Sequence, residues 1–431
     1  VTVDGIGIEG TTGRMDIIAQ TMTIEAALRA NLGSGANSQI NLIAGRNRVA
    51  EDANGNYIVS ANAAANSAEA VKAASPSQSS VQNGYAIDAS ALGAMTAGQI
   101  KIIATTEGLG VKTDGALAAT AGNLTIDSSG QIRVGNAYAK QDVNLNARGD
   151  LDVSGKVVAA QNSALATGGA LGVAGDVEAG QQLNVQAARD AAFSGSLAAV
   201  QNAVLNVGGH LTHIGRVSVG GNYNVDAGSI HATGDTAVDG AIDLSAAGAV
   251  AFGNVATQQS LTINAAGDIT GSGDTIALAG IDITSSNGSV ASQGSVATNG
   301  RLSVNAQGSA LLAGGTTALG TLSVRAAQGD AMLTGQTRAD GALNLSAGRE
   351  VRIGGAMQAN ESARIEAGRD VSLGGEVQVV GDLAVNAGGS FSGDGDALVG
   401  GNVRVDSGAA AKKNQSGGRP LGCAEANSGK P

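Results

Sequence analysis

The chain has 431 residues, 67 of them Gly, with no Trp, 3 Pro, 2% aromatics and a formal net charge of −11. So little aromatic content excludes a core that draws its burial energy from large rings, and favours an elongated interior of small and β-branched side chains. Scattered basic residues, none in a run longer than Lys412-Lys413, exclude nucleic-acid binding, which needs clustered cations to displace counterions.

In chain order, residues 1–136 alternate apolar and polar positions with a loose period, as in IKIIAT at 100–105 and NLTIDSSGQIRV at 123–134. Residues 48–84 lose the alternation, become rich in Ala, Ser and Asn, and read as an excursion with helix around 61–74. From 137 to 408 a repeat of about twenty residues takes over. The windows QDVNLNARGDLDVSGKVVAA (141–160), GALNLSAGREVRIGGAMQAN (341–360) and ESARIEAGRDVSLGGEVQVV (361–380) hold their apolar residues in the same columns. Within each short run the spacing is two, which is strand alternation. Gly, Ser, Asn and Asp separate the runs as turn formers. Gly155, Gly175, Gly195, Gly215, Gly335, Gly355 and Gly375 keep one frame, with one-residue slips around 223–231 and 259–320. A turn requiring positive φ in every unit explains such a frame. Asn144, Asn184 and Asn344 share a position where stacked side chains form ladders if coils are adjacent.

Three short strands per fixed period define one coil of an all-β, parallel β-helix (solenoid) with coils of about twenty residues. The pattern stops near Gly408, and 409–431 reads as a disordered tail, foreign to the native frame and holding Cys423. The body therefore has no cysteine for a disulfide. No apolar run approaches the ~20 residues of a membrane span, so no membrane insertion is expected.

Arg148-Gly149-Asp150 is the tripeptide that many integrin ligands display, and is the receptor-binding candidate. Asp150 shares its column with Asp190, Asp330, Glu350 and Asp370, so the template itself generates the tripeptide at a turn. Asp330, Glu350 and Asp370 on successive coils, ~4.8 Å apart, have the spacing of a retaining glycosidase pair. Arg349 and Arg369 beside them favour plain turn chemistry. His210, His213 and His231 lie on neighbouring coils without a supporting Cys or carboxylate, and read as surface histidines rather than metal ligands. GSGD (271–274) and GDGD (393–396) resemble calcium-binding solenoid repeats but are not tandem nonapeptides. No catalytic residue, metal or cofactor is assigned.

Two stretches resemble the two-partner-secretion domain: GIGIEGTTGRMDIIAQTMTIEAALRAN (5–31) with INLIAGRNRV (40–49), and AIDASALGAMTAGQIKIIATTEGLGVKTDGALAATAGNLTID (86–127). The repeats after 137 are similar to those of filamentous haemagglutinin-type adhesins. The resemblance implies a right-handed parallel β-helix, the C-terminal part of a secretion domain at 1–136 and a shaft at 137–408. It also implies a secreted protein of the bacterial surface, exported through an outer-membrane β-barrel transporter and acting as a non-enzymatic, monomeric adhesin for host cells or in biofilm. An integrin or glycan on a host cell is the implied receptor. The family's Asn-Pro-Asn secretion signature is absent from this sequence, so the chain is expected to be a fragment. The alternatives are the stalk of a contact-dependent toxin and a polysaccharide-active β-helix.

Overall fold

The computed structural model describes residues 1–11, 13–30, 38–53, 55, 57–62, 67–74, 79–409 and 412–413. The chain folds as two compact units, residues 1–221 and 222–431. Each is a parallel β-solenoid.

The regular coil is seen at 143–159, where strands Val143–Ala147, Leu151–Val153 and Val157–Ala159 follow one another. Each pairs in parallel with its counterpart one coil on: Val143 with Ser163, Leu151 with Leu171, Val157 with Val177. Alternate side chains point inward, so Val143, Leu145, Ala147, Leu151, Val153, Val157 and Ala159 are all buried. The intervening residues face solvent, as the pleat requires. Removing such a column of apolar side chains from water, at about 25 cal/mol per Å², is the main force holding successive coils together.

The second unit keeps this plan with a variable coil length. First strands pair Tyr223 with Ile242, Ile242 with Leu261, Leu261 with Ile281, Ile281 with Leu302 and Leu302 with Leu322. The coils are therefore 19, 19, 20, 21 and 20 residues long. The extra or missing residue falls in a corner, and the inward columns stay in register.

The frame glycines have a different cause from the one expected. None of Gly155, Gly175, Gly195, Gly215, Gly335, Gly355 or Gly375 has a positive φ. They are required because consecutive coils approach too closely for a side chain. A Cβ on Gly175 would lie 2.3 Å from the Gly155 carbonyl oxygen, and one on Gly355 would lie 2.4 Å from that of Gly335.

The first unit also carries an insertion between strands Gln39–Ala44 and Tyr85–Ala89. It contains an antiparallel hairpin, Asn47–Glu51 with Tyr57–Ala61, and two short helices, Ala68–Ala74 and Ser79–Gln82. Val71 and Val81 anchor the helices by full burial. The hairpin is tied to the outer face of strand Arg14–Ala19. The Arg14 guanidinium lies 4.2 Å from the Tyr57 ring centre, and the Tyr57 hydroxyl donates to Asp16 Oδ2 at 2.8 Å. Arg14 also pairs with Glu51, on the other strand of the hairpin. Coil pairing resumes around the insertion, with Ile100 aligned to Ile40 on one side and Leu124 on the other.

Most of the tail expected after 409 lies outside the described residues. Lys412–Lys413, which carried no strand signal, pair as a short strand with Ser392–Gly393.

Candidate functional site

The corner that holds Arg148-Gly149-Asp150 follows directly on buried Ala147. Arg148 and Asp150 are exposed, with Gly149 between them. The backbone of all three residues is engaged with neighbouring coils. Arg148 N–H donates to Ser128 O and Gly149 N–H to Gly130 O, both at 2.9 Å. Asp150 O accepts from Ile132 N–H at 2.8 Å, and Gly149 O accepts from Gly169 N–H at 3.1 Å. The Asp150 carboxylate is engaged too: its Oδ1 accepts the Ala170 backbone N–H at 2.8 Å.

That last bond recurs along the column and at the other corners. Asp190 accepts from His210 N–H at 2.8 Å, Asp330 from Glu350 N–H at 3.2 Å and Asp370 from Ser390 N–H at 2.6 Å. At the second corner Asn136 accepts from Lys156, Asp176 from Ser196 and Asp274 from Ser295. At the third, Asp142 accepts from Asn162, Asn162 from Gln182 and Asp382 from Asn402. In each of these bonds the acceptor side chain belongs to the earlier coil and the donor amide to the next. Each bond covers a backbone N–H that a turn would otherwise leave to solvent.

Sequence reading placed a side-chain ladder at Asn144, Asn184 and Asn344 instead. Register rules it out: Asn144 lies between Thr125 and Ala164, Asn184 between Ala164 and Val204, and Asn344 between Ser323 and Arg364. The signal for the true ladders was present in the Asp column. The direction of the bond, from side chain to the following coil's amide, is not written in any single repeat.

Asp330, Glu350 and Asp370 do stack on successive coils, since Ala331 pairs with Val351 and Val351 with Val371. Asp370 lacks the electrostatics of a general acid. The Ser390 hydroxyl and then its amide donate to Asp370 and hold its carboxyl below the ordinary range. A glycosidase acid needs the opposite shift, upward. Arg349 Nε lies 3.4 Å from Asp330 Oδ1. In GSGD, Asp274 is likewise held low by the Ser295 hydroxyl and amide.

His213 overturns the expectation of surface histidines. Strand Ala203–His213 runs straight through the first corner, and its alternation carries His213 into the interior column of Phe193. The ring is 1% exposed, meets Phe193 edge-on at 6.1 Å and places Nε2 3.0 Å from Gly195 O. Burial pulls its pKa below the ordinary value, against a smaller upward pull from the Gly195 carbonyl. His210 and His231 are exposed. Among the described residues no three metal-ligating side chains converge, and no helix is long and apolar enough to cross a membrane.

Fold and corner chemistry together define a β-solenoid of stacked coils with self-capping corners. Its sequence is similar to filamentous haemagglutinin-type exoproteins. Filamentous hemagglutinin of Bordetella pertussis is 28% identical over 175 residues, which is 40% of this chain and 4% of that protein. The tRNA nuclease CdiA of Escherichia coli is 31% identical over 150 residues, 35% of this chain and 4% of that protein. The 16S rRNA endonuclease CdiA of Enterobacter cloacae is 29% identical over 171 residues, 38% of this chain and 4% of that protein. The chain thus spans about 4% of the length of the curated relatives it matches. No family model and no solved structure matches. Each unit is thus a β-solenoid, in a chain similar over 35–40% of its length to filamentous hemagglutinin and CdiA proteins.

Proposed function

We propose that this chain belongs to a secreted bacterial surface adhesin, exported by an outer-membrane β-barrel transporter and working as a monomer without enzymatic activity. In this reading residues 1–136 form part of the secretion domain and 137–408 form the shaft. The observation that supports it best is the coil-to-coil register, which carries the first strands from one coil to the next in both units and belongs to a chain similar to filamentous hemagglutinin. The lack of cysteine before Cys423 suits export as an extended chain, since no disulfide loop has to be threaded. Attachment of epithelial cells to the immobilised chain tests the reading. Dose-dependent attachment above an albumin surface is expected, and attachment equal to albumin would refute an adhesive role.

Arg148-Gly149-Asp150 is read as a corner of the shaft that the repeat spells by itself. The discriminating substitution is Asp150→Asn. Asparagine keeps the acceptor for Ala170, as Asn136 and Asn162 do at their own corners, but removes the charge that a receptor-bound cation requires. Equal attachment by both forms is expected. Loss of attachment with an unchanged circular dichroism spectrum would make the tripeptide a receptor site.

Similarity to the two CdiA proteins supports a second reading, a stalk that carries a toxic nuclease domain. A full reading frame ending in such a domain would decide for it. A polysaccharide-active enzyme ranks third, because two of the three stacked carboxylates, Asp330 and Asp370, are occupied as amide acceptors. Release of reducing sugar that is lost on changing Asp330, Glu350 or Asp370 would reverse that ranking.

A further inference from the structure

The way the first unit holds its own hairpin describes a recognition device. Arg14 and Asp16 project from one strand, two residues apart, and pair with each other at 3.1 Å. Tyr57 settles on this pair, its ring over the guanidinium and its hydroxyl on the carboxylate. Asn41, one coil along, donates to the same carboxylate at 2.7 Å.

The second unit displays such a pair three times, Arg338 with Asp340, Arg364 with Glu366 and Arg404 with Asp406, and on the last two, which lie on first strands, no described aromatic ring is seated. Arg364 Nε donates to Glu366 at 2.8 Å and Arg404 Nε to Asp406 at 2.7 Å. The two pairs stand two coils apart. Between them the register places Ala384 level with the arginines and Asn386 level with the acids. Because Ala384 is short, the pairs become walls and the outer face of the sheet sinks into a notch of about 210 Å³. The aromatic side chains of this unit among the described residues, Tyr223, Phe252 and Phe391, all belong to interior columns.

We propose that this notch receives a tyrosine side chain of a separate partner protein. Three observations favour that ligand. Two coils of ~4.8 Å put the arginine backbones roughly 9.6 Å apart. A ring seated over Ala384 then has a guanidinium on each side at about 4.8 Å, inside the ~6 Å reach of a cation–π contact. Each wall is neutral within itself, so neither a bare anion nor a bare cation is selected. Glu366, Asp406 and Asn386 line the notch level with one another, where their oxygens can accept a hydrogen bond from the phenol as Asp16 accepts one from Tyr57. Phenylalanine would satisfy the walls and leave the acceptors unused. The site stands independently of the adhesin reading.

Saturation-transfer NMR with the full chain and N-acetyl-tyrosinamide as the probe tests the proposal. The expected result is saturation of the phenol protons, several-fold stronger than for N-acetyl-phenylalaninamide. It should be lost in Ala384→Arg, which fills the notch from a solvent-facing strand position. It should persist in Ala164→Arg, a control at the same column in the first unit. If Ala384→Arg alters the circular dichroism spectrum, Arg404→Gln removes one wall and should weaken the signal instead. No saturation in the native chain, or equal saturation in Ala384→Arg, would overturn the proposal. Self-association in sedimentation that disappears in Tyr138→Ala would overturn the assignment to a separate partner, because the occupant would then be a second copy.

Discussion

The coil that runs from Gln39 through Tyr85–Ala89 carries an insertion of some forty residues, whereas the coils from 143 to 199 carry none. Their interiors are nevertheless built alike. Ile40, Leu42, Ile87 and Ala89 fill the same inward pattern as Val143, Leu145, Leu151 and Val153, and strand pairing runs from the decorated coils into the plain ones through Leu124–Ser128. The difference teaches that coil identity resides in the inward columns and the backbone ladder. A corner can open and admit a hairpin and two helices without moving them, because loop closure costs little more as a loop lengthens.

If so, the largest effect comes from truncating a column, and it should be equal in the two regions. Ile102→Ala in the decorated coils and Leu145→Ala in the plain ones should each cost about 2–5 kcal/mol. Hydrogen exchange read by mass spectrometry is the suitable measure, since a long repeat array does not unfold in two states. A cost confined to one region would break the equivalence.

The glycine corner comes next. Gly175→Ala puts a methyl carbon 2.3 Å from Gly155 O and should cost about 1–3 kcal/mol, the range of overpacking. Gly172→Ala, also in a plain coil, has its nearest neighbour 3.2 Å away, the Asp152 carboxylate, and should be tolerated better. Equal losses would mean that close coil approach is not what selects glycine.

A corner acceptor is worth less. Asp142→Ala uncovers the Asn162 amide, which it holds at 3.0 Å. By analogy with helix caps, the loss should be about 0.5–2 kcal/mol, with Asp142→Asn near neutral. Exchange of the Asn162 amide reads this directly. Asparagine as damaging as alanine would show that charge, and not the hydrogen bond, matters at the corner.

The smallest effect is one of pH. Neutral His213 is favoured in the folded chain, since burial lowers its pKa below 6.5. The unfolded chain therefore binds more protons as pH falls through 6.5, and stability declines on the acid side while remaining full above it. Protection of residues 203–213 should fall between pH 7 and pH 5, and His213→Leu should remove that dependence. Persistence of the slope in His213→Leu would assign it to the carboxylates.

How much of this was legible in the repeat can be judged from particular residues. The inward columns were readable because alternation is a one-dimensional signal, and every strand named between 143 and 159 follows it. Asp150, Asp190 and Asp370 were visible as a column, but their acceptor role was not, since it depends on where the next coil's amide points. His213 was misplaced although its frame was legible: it stands twenty residues after Phe193 in the inward column of Val153 and Val173, and the polar residue type was weighed above the column. The pairing of Tyr57 with Arg14, and the notch over Ala384, join residues far apart in sequence or separated by whole coils.

By itself, then, the sequence determined the class of fold, the length of the coil and the membership of the core, because each depends on a spacing within one repeat. Tertiary structure alone decided which side chains cap which amides, why glycine holds its frame, and where the surface dips. These depend on the approach of one coil to the next, a distance set by backbone hydrogen bonds between segments about twenty residues apart.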